Sequence, residues 1–395
     1  MNKKVYITGA YNTKFGNLEG QTLYSLYEEA AKGAINDAKI DIQDIDAIFV
    51  GNYSGGSFNN QEHIAPYGVN IFPQLRHKPM YRTENACASG TSAIHMGMMA
   101  LQSGMAKNVL VLGVEKMNSL DTENTTKTLA KASYWDKEGA NGYTFPGLFA
   151  EYAKGYIKHY GYSPEQLREW LAEISAKAYL YGSQNPLAHM RKLRTKEEIL
   201  NLPDEKNPMI ADPLRLHDCS LISDGAAAVI LSLNKTDTSV EIVATSSVSD
   251  YLDIVDSAKP NYYLEGASVA VNKALKMAGM TIDQIQVAEV HDCFTITELL
   301  IYSALGLVER GEEYKALQSK DVYLEGKCVI NPSGGLKSKG HPVGATGVSM
   351  HALLYKQLIG KAIGVQVPNA KTALALNIGG SGATNMVSIL KKNNL

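Results

Sequence analysis

The chain has 395 residues, of which 45% are hydrophobic and 20% are charged. This composition excludes disordered, collagenous and coiled-coil proteins, and the length predicts roughly two to three domains. The 38 basic and 40 acidic residues leave a net charge of −2, which gives neither nucleic acid nor an anionic membrane an electrostatic reason to bind.

The four cysteines (Cys87, Cys219, Cys293 and Cys328) are too far apart along the chain for a zinc knuckle or a redox CxxC motif. Few, irregularly spaced cysteines in a chain of this length favour a reducing compartment. The amino-terminal segment lacks the apolar stretch of a signal peptide, and no run approaches the ~18 apolar residues of a membrane-spanning helix. We therefore expect a cytoplasmic protein without membrane association.

Strands and helices alternate from the amino terminus onward, and their order returns in the second half of the chain. A helix followed by an apolar strand occupies residues 23–52, and the same pattern returns at 268–292, with an offset of 240 residues. A second matched pair, residues 84–104 and 339–360, has an offset of 254 residues. Because the pairs keep their order, the sequence predicts a duplicated fold rather than two unrelated domains.

A third matched pair, residues 223–235 and 380–392, has an offset of only 157 residues. The first half therefore carries an insertion of about 97 residues, at about 116–220, which is mostly helical in pattern. We predict an N-terminal half at residues 1–236, which includes this insertion, and a C-terminal half at 237–395. Apolar, β-branched runs between helices indicate sheets covered on both faces, so two packed halves predict a layered α/β protein with a pseudo-twofold axis.

Cys87 is the first candidate for chemistry. It lies among small residues just ahead of a helical segment, at or near the amino end of that helix. The helix dipole and free backbone N–H groups there favour a thiolate, the nucleophilic form of cysteine. The alternative interpretation is a buried cysteine that only fills space.

His341 is the second candidate, and it follows a glycine-rich run before another predicted helix. Histidine titrates near neutral pH and suits proton transfer to or from a sulfur. The repeat aligns His341 with Cys87, so a pseudo-twofold axis is expected to bring both helix starts to one site. The glycine-rich run does not match a phosphate loop, because His341 stands where that motif has Lys. The alternative is a histidine that merely caps its helix.

Two His-Asp-Cys tripeptides occur, at residues 217–219 and 291–293. The second ends a predicted strand, where α/β sheets expose residues to a crevice. We therefore predict a functional role for the second tripeptide and a structural role for the histidine and cysteine of the first.

Five segments together resemble the thiolase family, and the resemblance extends over essentially the whole chain. The segments are NACASG at 85–90, SDGAAA at 223–228, HDCF at 291–294, NPSGGLKSKGHPVGATG at 331–347 and NIGGSGA at 377–383. Within the family, the chain looks most like the sterol-carrier-protein type and the related archaeal and bacterial acetyl-CoA acetyltransferases. The resemblance implies the thiolase fold, a duplicated layered αβαβα architecture whose inserted loop domain covers the pantetheine arm of CoA.

The resemblance also implies two catalytic cysteines and one histidine. Cys87 is then the nucleophile that carries the acyl group, and His341 takes its proton. Many thiolases have their second, acid/base cysteine at the position of Asn377, which cannot titrate. Cys293 is the candidate replacement, and Cys219 is the alternative on sequence alone.

Two oxyanion holes are implied as well. One consists of His341 and, through a water molecule, His291. The other consists of the backbone N–H groups of Cys87 and Gly379. Ser220 matches a residue near bound pantetheine and is expected to contact CoA. No metal or redox cofactor is implied, because CoA and acyl-CoA act as substrates.

The resemblance therefore predicts an acyltransferase, an acetyl-CoA C-acetyltransferase or a longer-chain 3-oxoacyl-CoA thiolase. Two alternatives remain at this point. One is a ketoacyl-synthase-like condensing enzyme, which shares the fold and the cysteine nucleophile but does not need Cys293. The other is a non-catalytic subunit that binds acyl-CoA or scaffolds a partner enzyme. The presence of Cys87, Cys293 and His341 favours an active thiolase.

Similar proteins also imply partners. They are homodimers or homotetramers in which the sheet edge of the first half pairs between subunits. Archaeal relatives pass acetoacetyl-CoA to hydroxymethylglutaryl-CoA synthase through a small zinc-ribbon/OB-fold protein, so the same two partners are candidates here.

Overall fold

Strands and helices alternate along residues 3–393, the part of the chain that this computed structural model describes. The strands are Val5–Asn12 (β1), Ala47–Gly51 (β2), Met80–Thr83 (β3), Asn108–Glu115 (β4), Met209–Ala211 (β5), Leu214–Arg215 (β6), Gly225–Ser232 (β7), Val240–Ser249 (β8), Val287–Val290 (β9), Val329–Ile330 (β10), Thr372–Gly379 (β11) and Thr384–Lys392 (β12). The helices are Leu23–Ala38 (α1), Gly55–Asn59 (α2), Tyr67–Ile71 (α3), Ser89–Ser103 (α4), Thr122–Ala130 (α5), Phe145–Tyr160 (α6), Pro164–Gln184 (α7), Lys196–Leu200 (α8), Glu265–Ala278 (α9), Thr295–Ala304 (α10), Tyr314–Gln318 (α11) and Val343–Leu358 (α12).

The sheet order shows the duplication. Ten strands follow the order β10-β9-β11-β12-β8-β1-β7-β4-β2-β3. Counted outward from the β8/β1 junction, the strands of the two halves correspond in pairs. Strand β8 matches β1, β12 matches β7, and β11 matches β4. The two half-sheets meet through antiparallel pairs between Val5–Ile7 and Val240–Ile242. The predicted duplicated α/β fold is confirmed.

The predicted offsets also recur in the structure. Strands β2 and β9 begin 240 residues apart, at Ala47 and Val287. Helices α4 and α12 begin 254 residues apart, at Ser89 and Val343. These elements therefore occupy equivalent places in the two halves.

The segment between β4 and β7 leaves the sheet and returns beside its point of departure. Strands β4 and β7 are antiparallel neighbours, and Glu115 at the end of one pairs with Gly225 at the start of the other. Between them lie α5 to α8 and the small β5–β6 pair. The segment thus adds a helical layer without interrupting the sheet order, and the exact domain limits of 1–236 and 237–395 stay predictions.

Local sequence signals account for the long helices. Thr22 caps α1 in a capping box with Ser25, and α1 buries Tyr27 and Ala30 against β1 and β7. Ser163 forms the corresponding box with Gln166 at the start of α7, where a proline at the first helical position needs no hydrogen-bonded N–H.

None of the helices between residues 3 and 393 has both the length and the apolarity needed to cross a bilayer.

Helices α4 and α12 pack against each other in the centre of the molecule, and glycines permit their close contact. A Cβ atom on Gly90 would lie 2.8 Å from the backbone nitrogen of Val348 and 2.9 Å from the carbonyl oxygen of Gly344. A Cβ atom on Gly347 would lie 2.2 Å from the backbone nitrogen of Thr91. Real side chains do not fit at these distances, so the two backbones touch directly.

Candidate active site

A cavity of about 220 Å³ opens where the first turns of α4 and α12 meet the turn after β9. Its polar groups are few and include Cys87, His291, Cys293 and His341. The rest of its wall is mainly apolar, with aromatic side chains from Phe145, Phe149 and Phe294. Such a cavity, with few polar groups in an apolar wall, is typical of a small-molecule site.

Cys87 reaches the cavity from a tight turn between β3 and α4. The preceding residue, Ala86, has a left-handed φ of 50°, and the Asn85 N–H donates to Ser89 Oγ at 2.9 Å. Burial raises the pKa of the Cys87 thiol to about 12, although a backbone hydrogen bond from Gly380 acts in the opposite direction. Burial therefore outweighs the expected stabilisation of a thiolate, and Cys87 rests as a thiol that needs a base.

His341 presents an unprotonated nitrogen to the cavity. Its Nδ1 lies 2.7 Å from Thr346 Oγ1, and that hydroxyl donates its single hydrogen to the Pro342 carbonyl at 3.0 Å. With that hydrogen on the Pro342 carbonyl, Thr346 accepts a hydrogen from Nδ1, and this arrangement leaves the lone pair on Nε2. Nε2 is buried and has no hydrogen-bond partner between residues 3 and 393. Burial and the neighbouring His291 and Lys339 hold the pKa of His341 well below its ordinary value, so the ring is neutral.

The two halves deliver their reactive groups to one place. Cys87 Sγ and one ring nitrogen each from His291 and His341 all lie within 4.8 Å of one another. The two imidazole rings are 5.0 Å apart between centroids and nearly perpendicular, at 82°. A neutral imidazole with a free nitrogen beside a thiol is the arrangement that activates a cysteine nucleophile.

Cys293 supplies a second thiol to the same cavity. It lies in the turn between β9 and α10, with Sγ 3.7 Å from Thr297 Oγ1. Burial, then the nearby Cys87, raises the pKa of Cys293 well above its ordinary value. Cys219 also lines the cavity, but burial and Asp218, rather than Cys87, raise its pKa to about 12. Of these two thiols, Cys293 is therefore the one whose pKa is affected by Cys87.

Family comparisons agree with this geometry. Residues 5–235 match the thiolase N-terminal domain, and residues 249–392 match the thiolase C-terminal domain-like family. The chain belongs to the thiolase family. An acetyl-CoA acetyltransferase of Methanothermobacter thermautotrophicus is 39% identical to this thiolase over 99% of the chain and 100% of the relative. Human sterol carrier protein 2 is 33% identical over 96% of the chain and 71% of the relative.

A solved structure carries the same fold. The Ltp2-ChsH2(DUF35) aldolase superposes on this thiolase with a TM-score of 0.83 and 19% identity, over 99% of this chain and 98% of that chain. The predicted thiolase fold is confirmed, and so is the predicted enzyme class, an acyltransferase. Neither the condensing-enzyme nor the scaffold alternative is favoured by these relatives.

The structure of this thiolase places Ser220 and the Gly379-Gly380 pair around the cavity. Ser220 lines the cavity wall, and its N–H donates to the Cys293 carbonyl at 2.9 Å. Gly380, rather than Gly379, is the glycine on the cavity wall, and its backbone acts to lower the pKa of the Cys87 thiol. The oxyanion role expected of Gly379 and the CoA contact expected of Ser220 stay predictions.

The first His-Asp-Cys tripeptide differs from the second. His217 Nδ1 bonds with Tyr179 Oη at 2.6 Å, outside the cavity wall. Asp218 is buried and accepts from Arg168 at 3.2 Å and from Thr295 Oγ1 at 3.2 Å. Asp218 thus joins α7 to α10, whereas Cys219 lines the cavity, so the structural role expected of His217 and Cys219 stays a prediction.

The sequence motifs did not identify two residues of the site, Thr346 and Asn377, as functional groups. Thr346 lies one helical turn into α12, where its hydroxyl reaches His341. Asn377, which the sequence treated only as a position that cannot titrate, lies at the end of β11 and contacts both the Cys87 carbonyl and His291. The motifs GHPVGATG and NIGG contain these two residues, but the partners that give them a role are set by the tertiary fold.

Proposed function

We propose that this thiolase transfers an acyl group reversibly between a 3-oxoacyl-CoA and CoA, with an acyl-Cys87 intermediate. Acetoacetyl-CoA is the proposed substrate for thiolysis, and two acetyl-CoA molecules are the substrates for condensation. One observation carries the proposal, namely that the Cys87 sulfur lies within 4.8 Å of nitrogens from two histidines. The name of the archaeal relative, acetyl-CoA acetyltransferase, supports the choice of acyl group.

The first half-reaction begins with transfer of the Cys87 proton to His341 Nε2. The thiolate attacks the C3 carbonyl carbon of the 3-oxoacyl-CoA, and the C2–C3 bond then breaks. Its electron pair becomes the enolate of acetyl-CoA, and Cys293 donates its proton to C2. Acetyl-CoA leaves, with the acyl group on Cys87, a thiolate on Cys293 and a proton on His341.

The second half-reaction returns every group to its starting state. The Cys293 thiolate takes the proton of the CoA thiol, and the CoA sulfur attacks the acyl carbon on Cys87. The C–S bond to Cys87 breaks, acyl-CoA leaves, and His341 gives its proton back to the Cys87 thiolate. In the direction of synthesis, Cys293 removes the α-proton of the second acetyl-CoA.

Negative oxygens form in both half-reactions and need donors. For the enolate oxygen we propose His341 together with His291, which acts through a water molecule. For the tetrahedral oxygen on the acyl-cysteine we propose the backbone N–H groups of Cys87 and Gly379. The backbone of Gly380, which acts to lower the pKa of the Cys87 thiol, supports a donor at this corner of the cavity.

We propose that CoA enters along the wall that contains Ser220, since this residue lies beside the Cys293 turn. The largely apolar lining suits a pantetheine arm and an alkyl chain. The chemistry derived above needs only thiols, imidazoles and backbone donors, so we propose that it uses no metal ion and no redox cofactor. A cytoplasmic location is proposed as well, supported by four free cysteines that a reducing compartment would preserve.

A homodimer or homotetramer is proposed, with contact through the edge strand β3. Tyr81 on this strand is 48% exposed, and Met99 on the adjoining α4 is 59% exposed. Exposed apolar side chains beside an unpaired strand edge favour pairing with a second subunit. Hydroxymethylglutaryl-CoA synthase, joined by a zinc-ribbon/OB-fold protein, is the proposed further partner. The aldolase neighbour, whose name joins two proteins, supports the idea that this fold assembles with others.

The proposal is tested by thiolysis of acetoacetyl-CoA, followed through loss of the 3-oxoacyl thioester absorbance. Cys87→Ala is expected to abolish both activity and the acyl-enzyme seen by mass spectrometry. Cys293→Ala is expected to retain the acyl-enzyme but to lose exchange of acetyl-CoA α-protons with deuterated water. Cys328→Ala is the matched control, because this buried thiol lies outside the cavity wall.

Two results would contradict the proposal. Thiolysis that persists in Cys87→Ala would remove the nucleophile from the mechanism. A Cys293→Ala variant that still condenses malonyl-CoA with an acyl group would instead identify a decarboxylating condensing enzyme.

A further inference from the structure

We propose that Asn377 is a positioning residue that holds the proton of His291 on Nε2. His291 and His341 would then face the substrate as opposite tautomers, one a hydrogen-bond donor and the other an acceptor. The inference rests on the function proposed above, in which His291 stabilises a negative oxygen. It gives a role to the position where many thiolases have a titratable cysteine.

The orientation of the Asn377 amide follows from its neighbours. The side chain is fully buried, and Nδ2 lies 3.1 Å from the carbonyl oxygen of Cys87. A carbonyl oxygen only accepts, so the amide atom that faces it must be the nitrogen. On the other side, Thr91 Oγ1 donates to Asn377 Oδ1 at 2.9 Å. A flipped amide would set two oxygens against each other at Cys87, so the carbonyl decides the orientation.

The amide orientation in turn decides the tautomer of His291. The second hydrogen of Asn377 Nδ2 is directed at His291 Nδ1, 3.1 Å away. Burial lowers the pKa of His291 to about 3, so the ring is neutral and carries one proton. Because Nδ1 accepts from Asn377, that proton must reside on Nε2.

The two histidines of the site therefore have different capabilities. Thr346 leaves His341 with a lone pair on Nε2, which suits removal of the Cys87 proton. Asn377 leaves His291 with Nε2–H, which suits donation to the water that would bridge it to the negative oxygen. If His291 carried its proton on Nδ1 instead, Nε2 would accept from that water, and the hydrogen bond from the water to the oxygen would be weaker.

The tautomer of His291 also affects whether this site can bind a metal ion. Cys87, His291 and His341 have ligand atoms within 4.8 Å of one another, a spacing that suits a thiophilic cation such as Zn²⁺. A neutral histidine binds a metal through its unprotonated nitrogen, and a metal-bound histidine usually donates its other N–H to an acceptor. Asn377 offers Nδ1 a donor instead, so it opposes capture of Zn²⁺ by the catalytic centre.

The test is Asn377→Asp, which keeps the size of the side chain and replaces the donor to His291 by an acceptor, while also removing the hydrogen bond to the Cys87 carbonyl. The carboxylate requires a proton on His291 Nδ1, so Nε2 loses its role as a neutral donor. We expect kcat to fall about 100-fold, the effect of losing one oxyanion donor, with little change in KM. The concentration of Zn²⁺ that halves the activity is expected to fall at least roughly tenfold, since a carboxylate behind histidine strengthens metal binding.

A spectroscopic readout separates positioning from general damage. In protein labelled with ¹⁵N-histidine, the His291 signals, assigned by their absence in His291→Gln, are expected to show Nε2–H in the wild type. In Asn377→Asp they are expected to show Nδ1–H. The Thr91→Ser control keeps the hydroxyl that holds the amide and is expected to retain the wild-type spectrum and activity.

A double variant completes the design. The glutamine in His291→Gln donates from an amide that has no tautomers, so adding Asn377→Asp should there cost only the part of the loss that comes from the bond to the Cys87 carbonyl, about tenfold less than in the wild-type background. An equal loss in both backgrounds, or a wild-type spectrum with the His291 proton on Nδ1, would overturn the inference. The spectrum is recorded on the resting protein, so it judges Asn377 even if thiolysis fails and the proposed function is wrong.

Discussion

Thr346→Val isolates the bond that orients the catalytic base. Valine keeps the shape of threonine and removes only the hydroxyl that His341 Nδ1 contacts at 2.7 Å. The Pro342 carbonyl, which also loses that hydroxyl, keeps the N–H groups of Ala345 at 2.9 Å and of Thr346 itself at 3.0 Å. The substitution therefore leaves the start of α12 satisfied, and its effect falls on the histidine.

The expected magnitude follows from the charge that His341 acquires. Once the ring takes the Cys87 proton, Nδ1–H belongs to an imidazolium, and a hydrogen bond to a charged group is worth about 1.5–3 kcal/mol. Loss of that energy in the transition state corresponds to a decrease of about 10- to 150-fold in kcat/KM. In the folded state the substitution leaves the buried Nδ1–H of a neutral ring without an acceptor, so the free energy of unfolding should fall by about 1–3 kcal/mol.

The assay is steady-state thiolysis of acetoacetyl-CoA, with urea denaturation to measure stability. Thr346→Ser retains the hydroxyl and is expected to stay within about threefold of the wild type, because it preserves the bond at issue. If Thr346→Val kept wild-type kcat/KM while remaining folded, the reasoning that ties this bond to the base would be refuted.

Three further outcomes are expected. Burial lowers the pKa of His95 to about 3 and the pKa of His351 to about 4, from an ordinary 6.5. Between these folded-state values and 6.5, the unfolded chain therefore binds more protons than the folded chain does. The urea midpoint should therefore fall as the pH drops from about 6.5 to 4, and a pH-independent midpoint would contradict it. Gly90→Ala should remove activity and destabilise the fold by roughly 2–4 kcal/mol, measured by the same denaturation, because its Cβ meets backbone. Tyr81→Lys should shift the protein toward monomer in sedimentation experiments, and an unchanged oligomer would exclude the β3 edge as the contact.

The framework of the fold could be predicted from the sequence because the two halves keep the same order of helices and strands at similar spacing. Matched helices and strands at offsets of 240 and 254 residues correspond to matched elements of the structure. The shrinking offset of the third pair located the helical excursion between β4 and β7. These features depend on periodicity and chain order, which a single sequence carries.

The fine structure of the site depends on contacts that chain order does not contain. Asn377 and the Cys87 carbonyl are 290 positions apart, yet they share a hydrogen bond. The protonation state of Cys87 also escaped prediction, because the position of a residue at a helix start is visible in the sequence whereas its depth of burial is not. Donor and acceptor assignments of this kind require the surrounding atoms.

The glycine contact between α4 and α12 makes the distance between the catalytic groups independent of the shape of the apolar cavity wall. Since Gly90 and Gly347 let main chain rest on main chain, the gap between nucleophile and base owes little to the size of neighbouring side chains. Mutations that reshape the apolar wall can then alter which acyl groups are accepted without moving the reacting atoms. We therefore expect this scaffold to tolerate redesign of chain-length preference far better than any change at its helix crossing.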